Sequence, residues 1–417
     1  MEKRRVVVTG MGTVNPLAHD VETFWAALLE GRSGIRRISR FNADKFDSKI
    51  GGEVVDWKGV PEEYVDKREA KRLDRFSQFA ISAAIEAVNN SGIDFEKVDR
   101  TRCGVLIGSG IGGLEELQTQ NIRLIQKGPD KVSAFTVPKL MLNAASGNVA
   151  ILWGLLGPNS AVAAACASGS NAIGDAFRLI QYGYADVMIT GGSEAALIEI
   201  GLASFCALKA LSTRNDEPER ASRPFDKDRD GFVLSEGAGV LILEELNHAL
   251  NRGANILAEI IGYGSTCDAE HITAPSPDGR GAAAAMRKAL SDAGISPEQV
   301  DYINAHGTGT QLNDIMETRA IKTVFGQHAY NGLVISSTKS AIGHLLGASG
   351  SVELIATIKS LQTGWIAPTL NLENPDDECD LDYCPLVKRQ KDIKVAMSNS
   401  FGFGGHNIVL IVKKFEQ

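Results

Sequence analysis

The chain has 417 residues, with 43 basic against 51 acidic side chains for a net charge of −8, and it is 44% hydrophobic and 23% charged. That apolar content excludes a disordered chain, no run approaches the roughly 18 apolar residues of a membrane span, and an acidic chain is a poor general nucleic-acid binder. Glycine is the outlier at 43 residues, roughly 10% against a usual ~7%, which calls for tight turns or close approach of the backbone.

Met1–Arg5 is basic, but the strand run Val6-Val7-Val8 and then Gly10-Met11-Gly12 follow it, which is not the pattern of a signal peptide. Apolar periodicity predicts a helix over about 75–91. The strand Val105-Leu106-Ile107 leads into the glycine-rich stretch 108–113, and helices follow at about 139–155 and 167–182. Val187-Met188-Ile189 is a strand ending at Gly191-Gly192. The stretch 212–232 is dense in charge and turn formers and reads as a surface excursion. Val240–Leu243 is a strand, helices are predicted at about 280–293, 314–325 and 347–362, and Ile408–Val412 is a last strand. Strand–helix alternation with no Pro/Ser-rich linker argues for one α/β body.

Two stretches repeat in the same order. Ser82–Asp99 and Ala284–Asp301 share an Ala-rich helix, a Gly-Ile stop and a Val-Asp pair, with Gly92/Gly294 and Asp99/Asp301 at one offset. Ala167-Ser168-Gly169-Ser170 recurs as Ala348-Ser349-Gly350-Ser351, each opening a helix. The chain therefore reads as two similar halves, 1–255 and 256–417.

The six cysteines form no C-x-x-C pair, and no His stands at zinc-ligand spacing from them, so no metal site is predicted. Scattered cysteines in a long chain suggest a reducing, cytoplasmic setting in which most are small buried hydrophobes. Cys166 differs, because it lies among small residues just before a predicted helix, where free N–H groups and the positive helix end lower a thiol pKa. Cys379 and Cys384 sit in an acidic loop that raises theirs. His306 follows the short strand Tyr302-Ile303-Asn304 in the loop His306-Gly307-Thr308-Gly309-Thr310, at the strand end where α/β proteins bind ligands. His344 follows the strand 333–337, and Lys339 nearby favours a neutral imidazole by like-charge repulsion. The two rings could face one ligand atom. The tail stretch 399–407, NSFGFGGHN, can supply backbone donors or move as a gate. Each of these segments also has a plain structural reading: a core cysteine, a surface or satisfied histidine, a bulged turn.

Together, VVVTGMG at 6–12, VPKLMLNAASGNVA at 137–150, ACASGSNAIGDA at 165–176, RPFDKDRDGFVLSEGAG at 223–239, NAHGTGT at 304–310, TKSAIGHLLGASGSVE at 338–353 and NSFGFGGHN at 399–407 resemble the β-ketoacyl-[acyl-carrier-protein] synthases. These are the condensing enzymes of type II fatty-acid synthesis, and the match is nearest to the elongating synthase II subgroup. The resemblance implies an α/β thiolase-like fold of two duplicated halves in five layers, α-β-α-β-α, assembled as a homodimer. It implies that Cys166 is acylated and that His306 and His344 complete a Cys-His-His site. A carrier-bound malonyl group would then lose CO₂ and condense to a 3-oxoacyl product. Phe403 matches a gating aromatic with Gly402 and Gly404 as hinges, and its N–H with that of Cys166 matches an oxyanion hole. Lys339 and Glu353 take supporting roles. Thr308 and Thr310 match pantetheine contacts, with Thr273 and Asp268 beside that channel, and Ile111 and Phe205 match acyl-pocket positions. No resident cofactor is implied, since phosphopantetheine arrives on the carrier protein.

Such carriers are acidic, so docking calls for a local basic patch. Arg68, Lys71, Arg72 and Arg75 share one face at helical spacing, and Lys209 matches a further contact; the alternative is a solvated helix face. Two positions depart from the common pattern. His406 stands where Thr is frequent, and Asn313 where Gly is frequent, Asn being tolerant of a left-handed backbone. The rival readings are a polyketide-type ketosynthase or synthase I, a thiolase, a chain-length-factor-like partner subunit and a Cys-His hydrolase. A thiolase would want a C-terminal cysteine and a chain-length factor would lack Cys166. A bacterial cytoplasm is the expected location, with a mature plastid form as the alternative.

Overall fold

The computed structural model describes residues 3–416, so Met1 and Glu2 of the basic start lie outside the described residues, as does Gln417. Ten strands form one hydrogen-bonded sheet: β1 (Val6–Val14), β2 (Cys103–Gly108), β3 (Asn159–Val162), β4 (Val187–Glu194), β5 (Gly237–Glu245), β6 (Ala258–Cys267), β7 (Tyr302–Asn304), β8 (Val334–Ser336), β9 (Val395–Gly402) and β10 (His406–Lys413). Their spatial order is β8-β7-β9-β10-β6-β1-β5-β4-β2-β3. Read outward from the centre, this is 1-5-4-2-3 on one side and 6-10-9-7-8 on the other, the same topology twice. In each half the three outer strands are parallel and the two inner ones antiparallel. The two half-sheets are hydrogen-bonded to each other where Val6–Val8 of β1 pairs with Ala258–Ile260 of β6.

The helices that position the site are α1 (Arg75–Ser91), α2 (Leu114–Lys127), α3 (Ala144–Trp153), α4 (Ser168–Gln181), α5 (Arg280–Ala293), α6 (Gln311–Phe325) and α7 (Ser349–Thr363). Helices α4 and α7 lie between the two half-sheets. One core joins Ile173, Phe177, Leu354 and Ile358 from these helices to Leu243 and Leu410 of the two sheets. Helices α1 and α3 cover the outer face of the first half-sheet. Helices α5 and α6 cover that of the second. The result is the thiolase-like five-layer α-β-α-β-α arrangement.

The repeats seen in the sequence are structural equivalents. Helices α1 and α5 both end on a left-handed glycine, Gly92 at φ 64° and Gly294 at φ 67°. Helices α4 and α7 each follow an alanine N-cap, Ala167 and Ala348. Several glycines take the second of the two expected jobs, close approach of the backbone. Gly10 and Gly12 lie inside β1, where a Cβ would come within 2.1 Å of Ala87 O and 2.0 Å of Ala83 O on α1. Gly262 and Gly264 of β6 stand against Ala289 O and Ala285 O of α5 in the same way. These glycines let a helix backbone press onto the sheet.

Two predicted elements are corrected and unmarked strands are added. The predicted helix over 139–155 is broken, because Thr136–Leu140 ends before α3 begins at Ala144. The excursion 212–232 stays at the surface over 213–220 and then returns to the interior: Arg223 donates to Asp226 at 3.0 Å, and buried Arg229 pairs with Asp376 at 2.7 Å. Strands β6 and β9, unmarked by the sequence reading, fill the second half-sheet.

Candidate active site

Cys166 stands at the strand–helix junction between β3 and α4, one residue before the N-cap Ala167. Ala165 before it is left-handed at φ 48°, a strained conformation for a residue with a Cβ, costing on the order of 1–3 kcal/mol. Hydrogen bonds hold the turn: Ser168 Oγ donates to Ala165 O at 2.6 Å and accepts from Ala164 N–H at 2.9 Å. Leu346 at the equivalent place before α7 has the same φ of 48°. The elbow is thus present twice, with a cysteine in one copy and Gly347 in the other.

His306 lies just past the end of β7. Its own N–H and that of Gly307 donate to the two oxygens of buried Glu317, at 2.9 and 2.8 Å. His344 lies between β8 and α7, with its ring 5.4 Å from that of His306 at 83°. Lys339, buried and ion-paired with Glu353, approaches His306 Nδ1 at 3.3 Å. As an ammonium can only donate, Nδ1 of His306 is an acceptor and the ring proton sits on Nε2. The N–H of Leu346 donates to His344 Nδ1 at 3.3 Å, and Ser349 Oγ is 2.9 Å from the same atom. That ring therefore carries its proton on Nε2 as well. Burial, then the charge of Lys339, hold both histidines well below the ordinary imidazole range. The sequence placed Lys339 beside His344 and made repulsion the cause of its neutrality. In the structure burial is the larger cause, and the lysine's bond is to His306.

The thiol of Cys166 differs from the expectation. Burial pushes it up to about 11, and neither Lys339 nor the N–H groups of Phe403 and Cys166 bring it back down. Desolvation of a thiolate outweighs the favourable helix end. Cys379 and Cys384 are raised as expected, to about 12 and 11, but burial is the larger cause and the carboxylates of Asp314 and Asp376, and of Asp382, the smaller one.

A cavity of about 560 Å³ joins Cys166, His306, His344, Gly402 and Phe403 to Ile111, Phe205, Thr308, Thr310, Thr273, Asp268 and Lys209. The Thr308 and Thr310 hydroxyls are 2.9 Å apart. Phe403 opens the turn between β9 and β10. Gly404 in that turn is left-handed at φ 86°, and Gly402 is not. A Cβ on Gly402 would stand 2.7 Å from Ala164 O and 3.1 Å from Cys166 N, so Gly402 is small to admit the Cys166 backbone. The turn is tied to the opposite loop by Gly404 N–H to Ile272 O at 2.6 Å and Asp268 N–H to Gly405 O at 2.9 Å. His406, at the start of β10, is partly exposed.

Arg68, Lys71 and Arg72 lie outside the cavity. Their expected common helix face is broken, because the helix Lys67–Ala70 stops before α1 starts at Arg75. Arg68 and Lys71 are exposed and have no ion-pair partner among the described residues. Arg72 pairs with Glu69 and lies over Phe135. Arg75 is withdrawn from the patch, since it donates to both oxygens of buried Glu236 and stacks on Phe79. Lys209 pairs with Asp47 at 2.7 Å.

Sequence reasoning missed Glu194, a buried carboxylate on the cavity wall. It accepts from Ser109, Gly110, Ile111 and Gly347, clamping the loop 109–111 to the second elbow. Its place at the end of β4, after Gly191-Gly192, was an available signal. Glu317, which holds the His306 loop from α6, carried none. Asn313 is not left-handed; it lies buried in the first turn of α6.

Comparisons with known proteins place this geometry. The family model "Beta-ketoacyl synthase, N-terminal domain" matches residues 3–249, and "Beta-ketoacyl synthase, C-terminal domain" matches residues 257–373. The chain is 54% identical to a 3-oxoacyl-[acyl-carrier-protein] synthase 2 of Synechocystis sp., covering 100% of this chain and 99% of that one. It is 50% identical to the protein of the same name from Vibrio cholerae, covering 99% and 100%. Among solved structures it resembles a β-ketoacyl synthase of Burkholderia phymatum at TM-score 0.92 and 37% identity, covering 99% and 100%. It also resembles a type II polyketide ketosynthase solved with its acyl-carrier protein, at TM-score 0.92 and 36% identity over all of both chains.

Proposed function

We propose, from the premise that the chain belongs to the β-ketoacyl synthase family, that Cys166, His306 and His344 carry out its reaction. The chain falls among the 3-oxoacyl-[acyl-carrier-protein] synthase 2 enzymes, acyltransferases that elongate fatty acids by decarboxylative condensation. The observation that carries the residue assignment is the meeting of one buried thiol and two neutral Nε2–H imidazoles in a single cavity.

In the first half-reaction Cys166 Sγ attacks the carrier thioester carbon. The N–H groups of Cys166 and Phe403 hold the oxyanion. The C–S bond to the carrier breaks and the thiol proton ends on the departing carrier sulfur, so the transfer is proton-neutral. In the second, the C–C bond to the malonyl carboxylate breaks, CO₂ leaves, and the electron pair spreads into an enolate. Its oxygen accepts from His306 and His344 Nε2–H, two donors whose orientation is already set. The enolate carbon attacks the acyl-cysteine, and the expelled Cys166 sulfur takes up one proton. Phosphopantetheine comes with the carrier, so no resident cofactor is invoked.

The acyl carrier protein docks on the exposed cations Arg68 and Lys71, with Arg72 beside them and Lys209 at the cavity as a separate contact. A homodimer is supported by the exposed apolar side chains Leu117, Ile122 and Ile125 of α2, with Val137 and Ile151 nearby, and by β3, an edge strand paired on one side only. Sedimentation should give a dimer, and Ile125→Lys with Ile151→Lys should shift it to monomer. Six free cysteines fit a cytoplasmic protein, which fractionation of the source cells would test; among the described residues no helix is long and apolar enough to cross a membrane.

The test of function is incubation with acyl-carrier and malonyl-carrier protein. Wild type should give 3-oxoacyl product and an acylated Cys166 peptide, and Cys166→Ala neither. Cys166→Gln should release CO₂ from the malonyl carrier without condensing. Acylation at another residue would sink the assignment.

A further inference from the structure

We infer that Ser337 is a positioning residue for decarboxylation, fixing the loop of His306 against the segment that carries Lys339 and His344. This rests on the reading that the two imidazoles hold the enolate oxygen. Strands β7 and β8 are paired in parallel as far as Asn304 and Ser336. Ala305 N–H then donates to Ser336 O at 2.9 Å. Beyond that bond the link is made by a side chain: Ser337 Oγ donates to Gly307 O at 2.7 Å, one residue past His306. Both residues are buried. A Cβ on Gly307 would stand 2.7 Å from Ser337 Cβ, so the two segments are in contact there. The N–H groups of the loop run the other way. Those of His306 and Gly307 go to Glu317, and those of Thr308 and Gly309 to Asp314, all on α6. They hold the loop to α6 and leave its distance from the Lys339 segment to Ser337.

Ser337 is itself fixed. Its N–H donates to Thr369 Oγ1 at 3.1 Å, and Thr369 Oγ1 donates to Tyr383 O at 2.6 Å. A carbonyl can only accept, so each of these hydroxyl protons has one destination and the relay has one direction. Tyr383 Oη bonds Thr318 Oγ1, whose own proton goes to Asp314 O at 2.7 Å. The chain of bonds thus returns to α6 and closes round the His306 loop. Two donors serve one enolate oxygen only while both lie within hydrogen-bond reach of it. A slip of about an ångström between the two segments would lose one of them. Acylation of Cys166 draws instead on the N–H groups of Cys166 and Phe403, which stand on other elements. Ser337 should therefore matter in one half-reaction and not in the other.

The two half-reactions can be measured apart. Acylation of Cys166 by acyl-carrier protein is followed by mass spectrometry, and CO₂ release from malonyl-carrier protein is followed in chains that also carry Cys166→Gln. Ser337→Ala should lower kcat for CO₂ release on the order of tenfold to a hundredfold. KM for the malonyl carrier and the rate of acylation should stay within about twofold of the parent chain, because neither depends on the spacing of the two rings. Unchanged CO₂ release, or equal losses in both half-reactions, would overturn the positioning role. If Cys166→Gln alone releases no CO₂, the reading of the histidines falls and the role of Ser337 with it. Thr369→Val keeps the side chain's shape and strips the acceptor from Ser337 N–H, so it should show the same split, also where Ser337→Ala does not fold. Thr369→Ser restores the hydroxyl and should recover CO₂ release; a serine variant as slow as the valine one would count against the relay.

Discussion

Lys339 Nζ stands 3.3 Å from Nδ1 of His306 while it is ion-paired with Glu353, so one buried ammonium joins a charge pair on α7 to the tautomer of a ring at the end of β7. The two roles can be separated. Lys339→Met leaves Glu353 buried without its partner, an expected loss of about 3–5 kcal/mol. The double variant Lys339→Met with Glu353→Met should regain most of that stability, because apolar pairs replace buried ion pairs well. Malonyl decarboxylation should stay about tenfold or more below wild type in both, since no donor then fixes the tautomer of the His306 ring. Thermal melts and CO₂ release are the readouts, and recovery of decarboxylation in the double variant would refute the tautomer role.

The raised thiol has a pH signature. A group held up to about 11 stays protonated below that pH, so its thiolate fraction grows about tenfold per pH unit through the neutral range. Alkylation of Cys166 by iodoacetamide should therefore climb steadily from pH 7 to pH 10 without levelling. Lys339→Met should reduce the rate throughout, because the lysine charge lowers the thiol pKa. A plateau near neutrality would show that the helix end prevails over burial.

Gly402 gives a steric test. Alanine there must displace Ala164 O or the Cys166 backbone. Acylation should fall on the order of a hundredfold, the usual consequence of shifting a reacting group by about an ångström. Stability should drop by about 1–3 kcal/mol. Stopped-flow acylation beside a thermal melt measures both, and a fully active Gly402→Ala would contradict the close approach.

The basic segment divides by burial. Arg68→Glu with Lys71→Glu should lower kcat/KM for carrier-bound substrate about tenfold, most at low salt, and leave a pantetheine thioester unaffected. Arg75→Ala should instead destabilise by about 1–3 kcal/mol, because it strips hydrogen bonds from buried Glu236. Equal losses on both substrates in the charge-reversed variant would exclude a docking role.

Much of this was written in local residue patterns. The repeats around Gly92/Gly294 and Ala167/Ala348 announce a duplicated fold, because a helix cap and a helix start depend on a few neighbouring residues. The small residues around Cys166 and the Gly/Thr loop after His306 mark strand ends for the same reason. The tertiary structure alone decided what those groups meet. It put Lys339 on His306, 33 positions away, and not on His344. It withdrew Arg75 to Glu236, chose close helix contact over a tight turn for Gly10 and Gly12, and carried the charged stretch around Arg223 and Arg229 indoors. It also reversed the expected pKa of Cys166, since a thiol's charge is governed by how much water the whole fold removes from it. Strand and helix propensities act over neighbouring residues; desolvation, ion pairing and close backbone contact depend on distances that chain order does not contain.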